Sequence, residues 1–248
     1  MSTSIEPIEN RLLGMLPAED QARVFPLLEP VTLTPGDVLC ESGDSGSYVY
    51  FPTNSIVSLL YLMESGASAE ISVVGNDGML GIALFMGGGS TTTRSVVQSA
   101  GHALRLSRAQ FEAEIDRHGA LHNLMLRYSQ ALITQMAQTA VCNRHHTIDQ
   151  QLCRWLLLSL GRLPGNELLA TQELIANMLG VRRESVTEAA GKLQDLGVIE
   201  YRRGHITVLD RARLETLSCE CYGVVKHETE RLLPWTPCRK VRHTPLAA

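Results

Sequence analysis

The chain has 248 residues, 44% of them hydrophobic and 19% charged, which is enough apolar material for one large or two modest packed domains and excludes wholesale disorder. It contains no run of about 18 apolar residues, and its first residues, MSTSIEPIEN, lack the basic and apolar regions of an export signal; no membrane partner and a cytoplasmic location are expected. The net charge of -4 is unevenly spread: residues 1–115 carry 5 Lys+Arg against 13 Asp+Glu, residues 146–215 carry 9 against 9, and the tail CRKVRHTPLAA is basic, so a polyanion should meet the C-terminal third.

The segment IENRLLGMLPAEDQARVFPLLEPV has apolar residues at helical spacing, and Pro17 divides it into two short pieces. From Val31 to Leu106 the pattern is strand-like: VTLTPGDVL, SYVYFP, SIVSLLYLM, EISVVG, SVVQSA and HALRLS. Turn residues recur every 8 to 12 positions or so, which predicts an antiparallel, all-β front domain. Ser107 and Gln110 form a capping box that starts a helix. A longer helix follows over about Ala120 to Cys142, with an apolar stripe through Leu121, Leu124, Met125, Tyr128, Leu132, Met136 and Ala140. A stripe alone does not say whether it packs on its own chain or on a second copy.

Thr147 and Gln150 form a second capping box, opening a helix that buries Ile148, Leu152, Trp155, Leu156 and Leu160. GRLPGNELLA reads as a break. In TQELIANMLGVRRESVTEAAGKL, Thr171 caps a helix with Leu174, Ile175, Met178 and Leu179 on one face. Gly180 suits the left-handed residue that ends it. Val186, Ala190 and Leu193 then point inward, leaving Arg182, Arg183, Glu184, Thr187 and Glu188 outward on the next helix, the geometry of a helix-turn-helix. Arg183 suits the O6 and N7 acceptors of guanine and Glu184 the N4 donor of cytosine, with Thr187 and Glu188 beside them. Thr171, Arg182, Lys192, Arg202, Arg203 and His205 are the candidates for DNA phosphates, the last three in the hairpin GVIEYRRGHITVL, which makes a wing. Asp210 caps a last helix near RARLETLSCECYGVVKHETERLL, ended by Pro234 and Pro237.

This order, and above all LGVRRESVTEAAGKLQDLGVIEYRRGHITV, resembles the Crp/Fnr family of bacterial transcription regulators over residues 15 to 215. The resemblance implies an α+β chain: a β-roll sensor with N-terminal helices (1–115), a dimerisation helix and hinge (116–145), a winged helix-turn-helix (146–215), and a C-terminal helix with basic tail (216–248). It further implies a homodimer joined through the long-helix stripe, double-stranded DNA with a pseudo-palindromic site, and RNA polymerase as a partner. Arg183 and Glu184 match the family's base-reading pair, whereas Glu188 stands where two well-known branches place Arg, so an unfamiliar operator is expected.

The family's phosphate cassette corresponds to GMLGIALFMGGGSTTTRSVVQ. Gly81, Arg94 and Ser95 match it, but Ile82 replaces the Glu that holds the ribose. Loss of that charged hydrogen bond, worth about 1.5–3 kcal/mol, makes cyclic-nucleotide control unexpected. Arg94 then either binds another anion or pairs with an acidic neighbour.

The six cysteines, Cys40, Cys142, Cys153, Cys219, Cys221 and Cys238, read as free thiols. None precedes Cys40, which argues against the N-terminal iron–sulfur ligands of the family's oxygen-sensing branch. Cys219 and Cys221 on one continuous helix would face different ways, and His145 and His146 read as a polar helix junction, so no metal site is expected. Neither a cofactor nor a catalytic constellation emerges, and a non-enzyme is expected. Two other readings stay open: a ligand-binding module whose winged part contacts protein, and a redox or metal sensor.

Overall fold

The computed structural model describes residues 5–235; Pro237, Cys238 and the basic tail lie outside them. Two short helices open the chain, α1 (Arg11–Gly14) and α2 (Ala18–Val24). Buried Asn10 holds the first in place, accepting from Leu12 and Leu13 and donating to the carbonyls of Pro52 and Gly78 at 2.8 and 2.9 Å.

Seven strands follow: β1 (Glu29–Leu33), β2 (Val38–Cys40), β3 (Tyr48–Pro52), β4 (Ile56–Leu62), β5 (Ser68–Val74), β6 (Arg94–Ser99) and β7 (Gly101–Ser107), with a four-residue helix α3 (Ile82–Phe85) before β6. They form two antiparallel sheets, ordered β1-β7-β3 and β2-β6-β4-β5. The stretch VTLTPGDVL, read as one strand, is two, because a turn closed by the Asp37 amide on the Thr34 carbonyl, with Gly36 at φ 92°, carries the chain from one sheet to the other. Val49, Phe51, Val57, Val74, Val97, Leu104 and Leu106 meet between the sheets.

Ser107 then caps α4 (Arg108–Ile115) through the expected box with Gln110, and the long helix α5 runs Ala120–His145. Of the two partners its stripe could take, the structure gives it to its own chain. Leu121, Leu124, Met125, Tyr128 and Leu132 are buried in the core of the roll, Met136 packs half-buried against that core, and the Tyr128 hydroxyl donates to the Met79 carbonyl at 2.8 Å. The six residues expected at a dimer interface therefore pack against the roll of their own chain.

The C-terminal part is α6 (Ile148–Leu160), β8 (Glu167–Leu169), α7 (Gln172–Leu179), α8 (Arg183–Asp195), β9 (Ile199–Arg202), β10 (His205–Val208), α9 (Arg211–Leu217) and α10 (Glu220–Leu232). Thr147 and Gln150 make the second capping box. The stretch read as a break contains β8, which joins the hairpin to give a sheet ordered β8-β10-β9. The single last helix expected from sequence is two, interrupted at Ser218 and Cys219, and α10 turns back to pack along α5.

The two parts share a core. Ile56, Leu60 and Val73 of the roll are buried together with Trp155, Leu156, Ile175 and Leu179. Arg162, at the end of α6, pairs with Asp77 at 2.9 Å and donates to Gln135 Oε1 of α5 at 3.0 Å. Its stem lies against Gly75, where a Cβ would come within 2.6 Å of it. Among the described residues, no helix is long and apolar enough to cross a membrane.

Candidate nucleic-acid interface

Local chemistry sets the angle between α7 and α8. Thr171 Oγ1 accepts the Leu174 amide at 3.1 Å and starts α7, which buries Ile175, Ala176, Met178 and Leu179. Gly180 ends it in the left-handed conformation, φ 66°. A Cβ at Gly180 would stand 3.4 Å from the Ala69 methyl of β5, so this turn rests on the edge of the roll. Arg182 is extended, and α8 begins at Arg183 with Val186, Ala189, Ala190 and Leu193 buried. The opposite face leaves Arg182, Arg183, Glu184, Thr187 and Glu188 exposed.

The exposed residues are not equally free. Thr187 Oγ1 donates to Gln172 Oε1 at 2.7 Å, which fixes the hydroxyl toward α7. Glu188 Oε1 lies 3.1 Å from Lys192 Nζ, which also reaches Asp149 at 3.2 Å. Those two carboxylates hold the Lys192 ammonium above its ordinary pKa. Lys192 must exchange partners to meet a phosphate, at a small cost for an exposed pair. Arg183 and Glu184 have no side-chain partner among the described residues.

Arg203 and Gly204 form the two-residue turn between β9 and β10, with φ 50° and 84°. Positive φ at both positions matches a hairpin turn of the primed type, whose twist suits the strands. Tyr201 Oη donates to the Ala170 carbonyl at 2.8 Å and ties the hairpin to the start of α7. As a result Thr171, Gln172, Arg183, Gln194, Tyr201 and Arg203 line one cleft of about 500 Å³. Arg202 and His205, grouped with Arg203 by sequence, line a different cleft beside Asn54 and Ser99, and Arg202 pairs with Glu200 at 2.9 Å. Arg202 and His205 are cross-strand partners on one face of the hairpin, Tyr201 leaves the other face, and Arg203 sits in the turn. Gln172 and Tyr201 were not singled out from sequence; the signal for Gln172 was its position directly after the Thr171 cap.

A second set lies on the outer face of α5, missed from sequence except for Ala140, which is exposed and not on the buried stripe where it was expected. Leu126, Ile133 and Val141 are 51%, 59% and 48% exposed. Asn123, Leu126, Gln130, Ile133, Ala137, Ala140 and Arg144 are all exposed and recur at alternating three- and four-residue steps, the spacing of a two-helix seam.

In the roll, Gly81 adopts φ 98° before α3 and abuts Val49, which explains a glycine there without a ligand. Arg94 Nη2 pairs with Glu41 at 3.1 Å, the acidic-neighbour alternative. Gly81 and Ser95 line a cavity of about 50 Å³ together with Leu39, Tyr48, Tyr50, Leu59, Leu84 and Leu132, whereas Arg94 does not line it. The sequence-matched phosphate residues are thus not brought together around one space, and the cavity is far below the roughly 300 Å³ of typical ligand pockets.

The sequence matches the cyclic nucleotide-binding domain over residues 30–118 and the Crp-like helix-turn-helix domain over residues 150–217. No curated protein sequence matches the chain. Among solved structures it is similar to FixK2 from Bradyrhizobium japonicum, with 15% identity, TM-score 0.66, and coverage of 77% of this chain and 98% of that one. A transcriptional regulator of the CRP/FNR family from Thermus thermophilus gives 21% identity, TM-score 0.61 and coverage of 77% and 98%. The c-di-GMP-responsive global regulator CLP from Xanthomonas campestris gives 15% identity, TM-score 0.61 and coverage of 78% and 100%. At these identities the likeness is one of fold.

Proposed function

From a chain that joins a cyclic nucleotide-binding domain to a Crp-like helix-turn-helix domain, and so belongs to the Crp/Fnr family of transcription regulators, we infer that the protein reads a specific DNA sequence as a homodimer. One observation carries the inference: exposed Arg183, whose side chain has no partner among the described residues, stands at the start of a helix buried on its other side and shares a cleft with Thr171 and Arg203. A major groove admits such a helix end first, so Arg183 and Glu184 would meet base edges while Thr171, Arg182 and Arg203 hold phosphates. Glu188, tied to Lys192, adds negative charge one turn further along and disfavours a guanine or phosphate there. Arg202 and His205, on the other side of the hairpin, are secondary phosphate contacts.

The exposed seam of α5, through Leu126, Ile133, Ala137 and Ala140, supports pairing with a second copy. Two such modules would address half-sites about one helical turn, roughly 34 Å, apart. The family likeness supports RNA polymerase as a partner and a cytoplasmic location. The small apolar cavity and the Arg94–Glu41 pair support a signal other than a cyclic nucleotide.

Selection from a random duplex pool at two salt concentrations tests the reading. A palindromic site whose sequence preference is relaxed by Arg183→Ala supports it. If no site is enriched, or preference survives that substitution, the winged part is not a sequence reader and a protein-contacting role takes its place.

A further inference from the structure

The end of α5 and the start of α10 bring four soft ligands to one place. Cys142 and His146 are one turn apart at the C-terminus of α5 and share a face. Cys219 lies in the interruption between α9 and α10, and Cys221 in the first turn of α10. On an unbroken helix their side chains would diverge by about 200°. Cys219 is instead the extended N-cap of α10, φ -82° and ψ 164°, and both thiols turn inward.

The ligand atoms of Cys142, His146, Cys219 and Cys221 all lie within 4.8 Å of one another. Cys142 Sγ is 3.5 Å from Cys219 Sγ, and Cys221 Sγ is 3.6 Å from His146 Nδ1. Zinc bonds of about 2.3 Å to sulfur and 2.0–2.1 Å to nitrogen give tetrahedral edges of about 3.8 Å between sulfurs and about 3.5 Å between sulfur and nitrogen. The observed separations fit one ion; a multi-iron cluster would hold its ligand sulfurs further apart. The three cysteines are buried in a cluster separate from both main cores.

Two surrounding groups fit the same chemistry. The second imidazole nitrogen, His146 Nε2, lies 3.2 Å from Glu220 Oε2, the outer carboxylate that orients a metal-bound histidine. Three thiolates and a neutral imidazole on a divalent ion leave one net negative charge. Arg154, buried, donates to Thr139 Oγ1 at 3.2 Å, one turn before Cys142 on α5, and places a positive charge on this side of the site.

We propose that Cys142, His146, Cys219 and Cys221 form a mononuclear, tetrahedral site for a divalent ion of the zinc type, which clasps together the two ends of the winged module. Residues 147–218, which contain the whole helix-turn-helix and its wing, leave the site at His146 and return to it at Cys219. The ion therefore sits at the hinge between α5 and α6 and sets how the module departs from the long helix.

The test uses the full chain, purified in reducing buffer without chelator. Elemental analysis should find one zinc per chain. After removal of that metal, cobalt(II) titration should saturate at the same ratio, with thiolate-to-cobalt charge transfer and the intense visible bands of a tetrahedral ion. Cys221→Ser should abolish stoichiometric loading and weaken the charge transfer. Glu220→Gln should weaken affinity about tenfold. Cys40→Ser and Cys238→Ser should change neither. Substoichiometric cobalt, an octahedral spectrum, unchanged loading of Cys221→Ser, or recovery of these thiols as a disulfide from freshly reduced protein would each overturn the proposal. If Cys221→Ser does not fold, the stoichiometry and spectrum of the unaltered protein decide.

Discussion

Glu70 offers a direct measure of how the roll is joined to the winged module. It lies on β5, the edge strand covered by α7, and is 7% exposed beside Ser58, Arg154, Trp155 and Arg162. Burial pushes its carboxyl up from 4.5 to about 7; the Ser58 hydroxyl, the Arg154 and Arg162 guanidiniums and the Trp155 indole act in the opposite direction without overcoming it. Its Oε2 and the Trp155 Nε1 have no hydrogen-bond partner among the described residues. The folded chain thus keeps this proton at pH values where the unfolded chain has lost it. The resulting stability is fully present below about pH 4.5, declines through the interval up to about 7, and is absent above it. Moving the carboxyl from 4.5 to about 7 corresponds to roughly 3 kcal/mol. Other carboxylates titrate over the same interval, so the comparison is with Glu70→Gln, which keeps the shape and removes the titration. Urea unfolding followed by tryptophan fluorescence, at several pH values between about 4.5 and 8, should show the unaltered protein losing about 3 kcal/mol relative to the variant as pH rises. Parallel pH profiles for the two proteins would refute the reasoning, and would mean that the carboxylate is hydrated at the seam.

The two faces of α5 should respond differently to substitution. Leu124→Ala, within the roll core, should destabilise each chain by about 2–5 kcal/mol in urea unfolding without changing its association. Ile133→Glu, on the exposed seam, should leave the fold intact by circular dichroism and shift sedimentation from dimer to monomer; an unchanged dimer would remove that face from the interface. Arg203→Ala should weaken binding to all DNA sequences alike and lower the salt slope of log affinity by about 1, because one phosphate contact is lost. Arg202→Ala, on the opposite side of the hairpin, should change that slope less, and an equal loss would mean that the two clefts do not separate these arginines on DNA.

Much of the local structure was legible because it depends on residues three or four positions apart. The caps at Ser107, Thr147, Thr171 and Asp210, the left-handed Gly180 and the buried face of α8 all follow from such spacings and occur where they were expected. Less legible were features with weak local signals. Strand β8 has three residues and exists because β10 offers it an edge. The interruption at Ser218 and Cys219 has no Pro or Gly to announce it, so the two cysteines read as diverging on one helix when they converge.

By itself, the sequence determined most of the helices and the strands of the roll, which face of α8 carries Arg183 and Glu184, and the family to which the two domains belong. These are matters of periodicity, capping and motif, written in neighbouring residues. Only the tertiary structure decided which partner each face of α5 meets: the roll takes Leu121, Leu124, Met125, Tyr128 and Leu132, α10 takes another strip, and Leu126 and Ile133 remain exposed. It likewise separated Arg202 from Arg203 and gathered Cys142, His146, Cys219 and Cys221 across about 75 residues of chain. A helix with apolar residues on several sides cannot say which side is covered until the sheet that needs covering has folded against it.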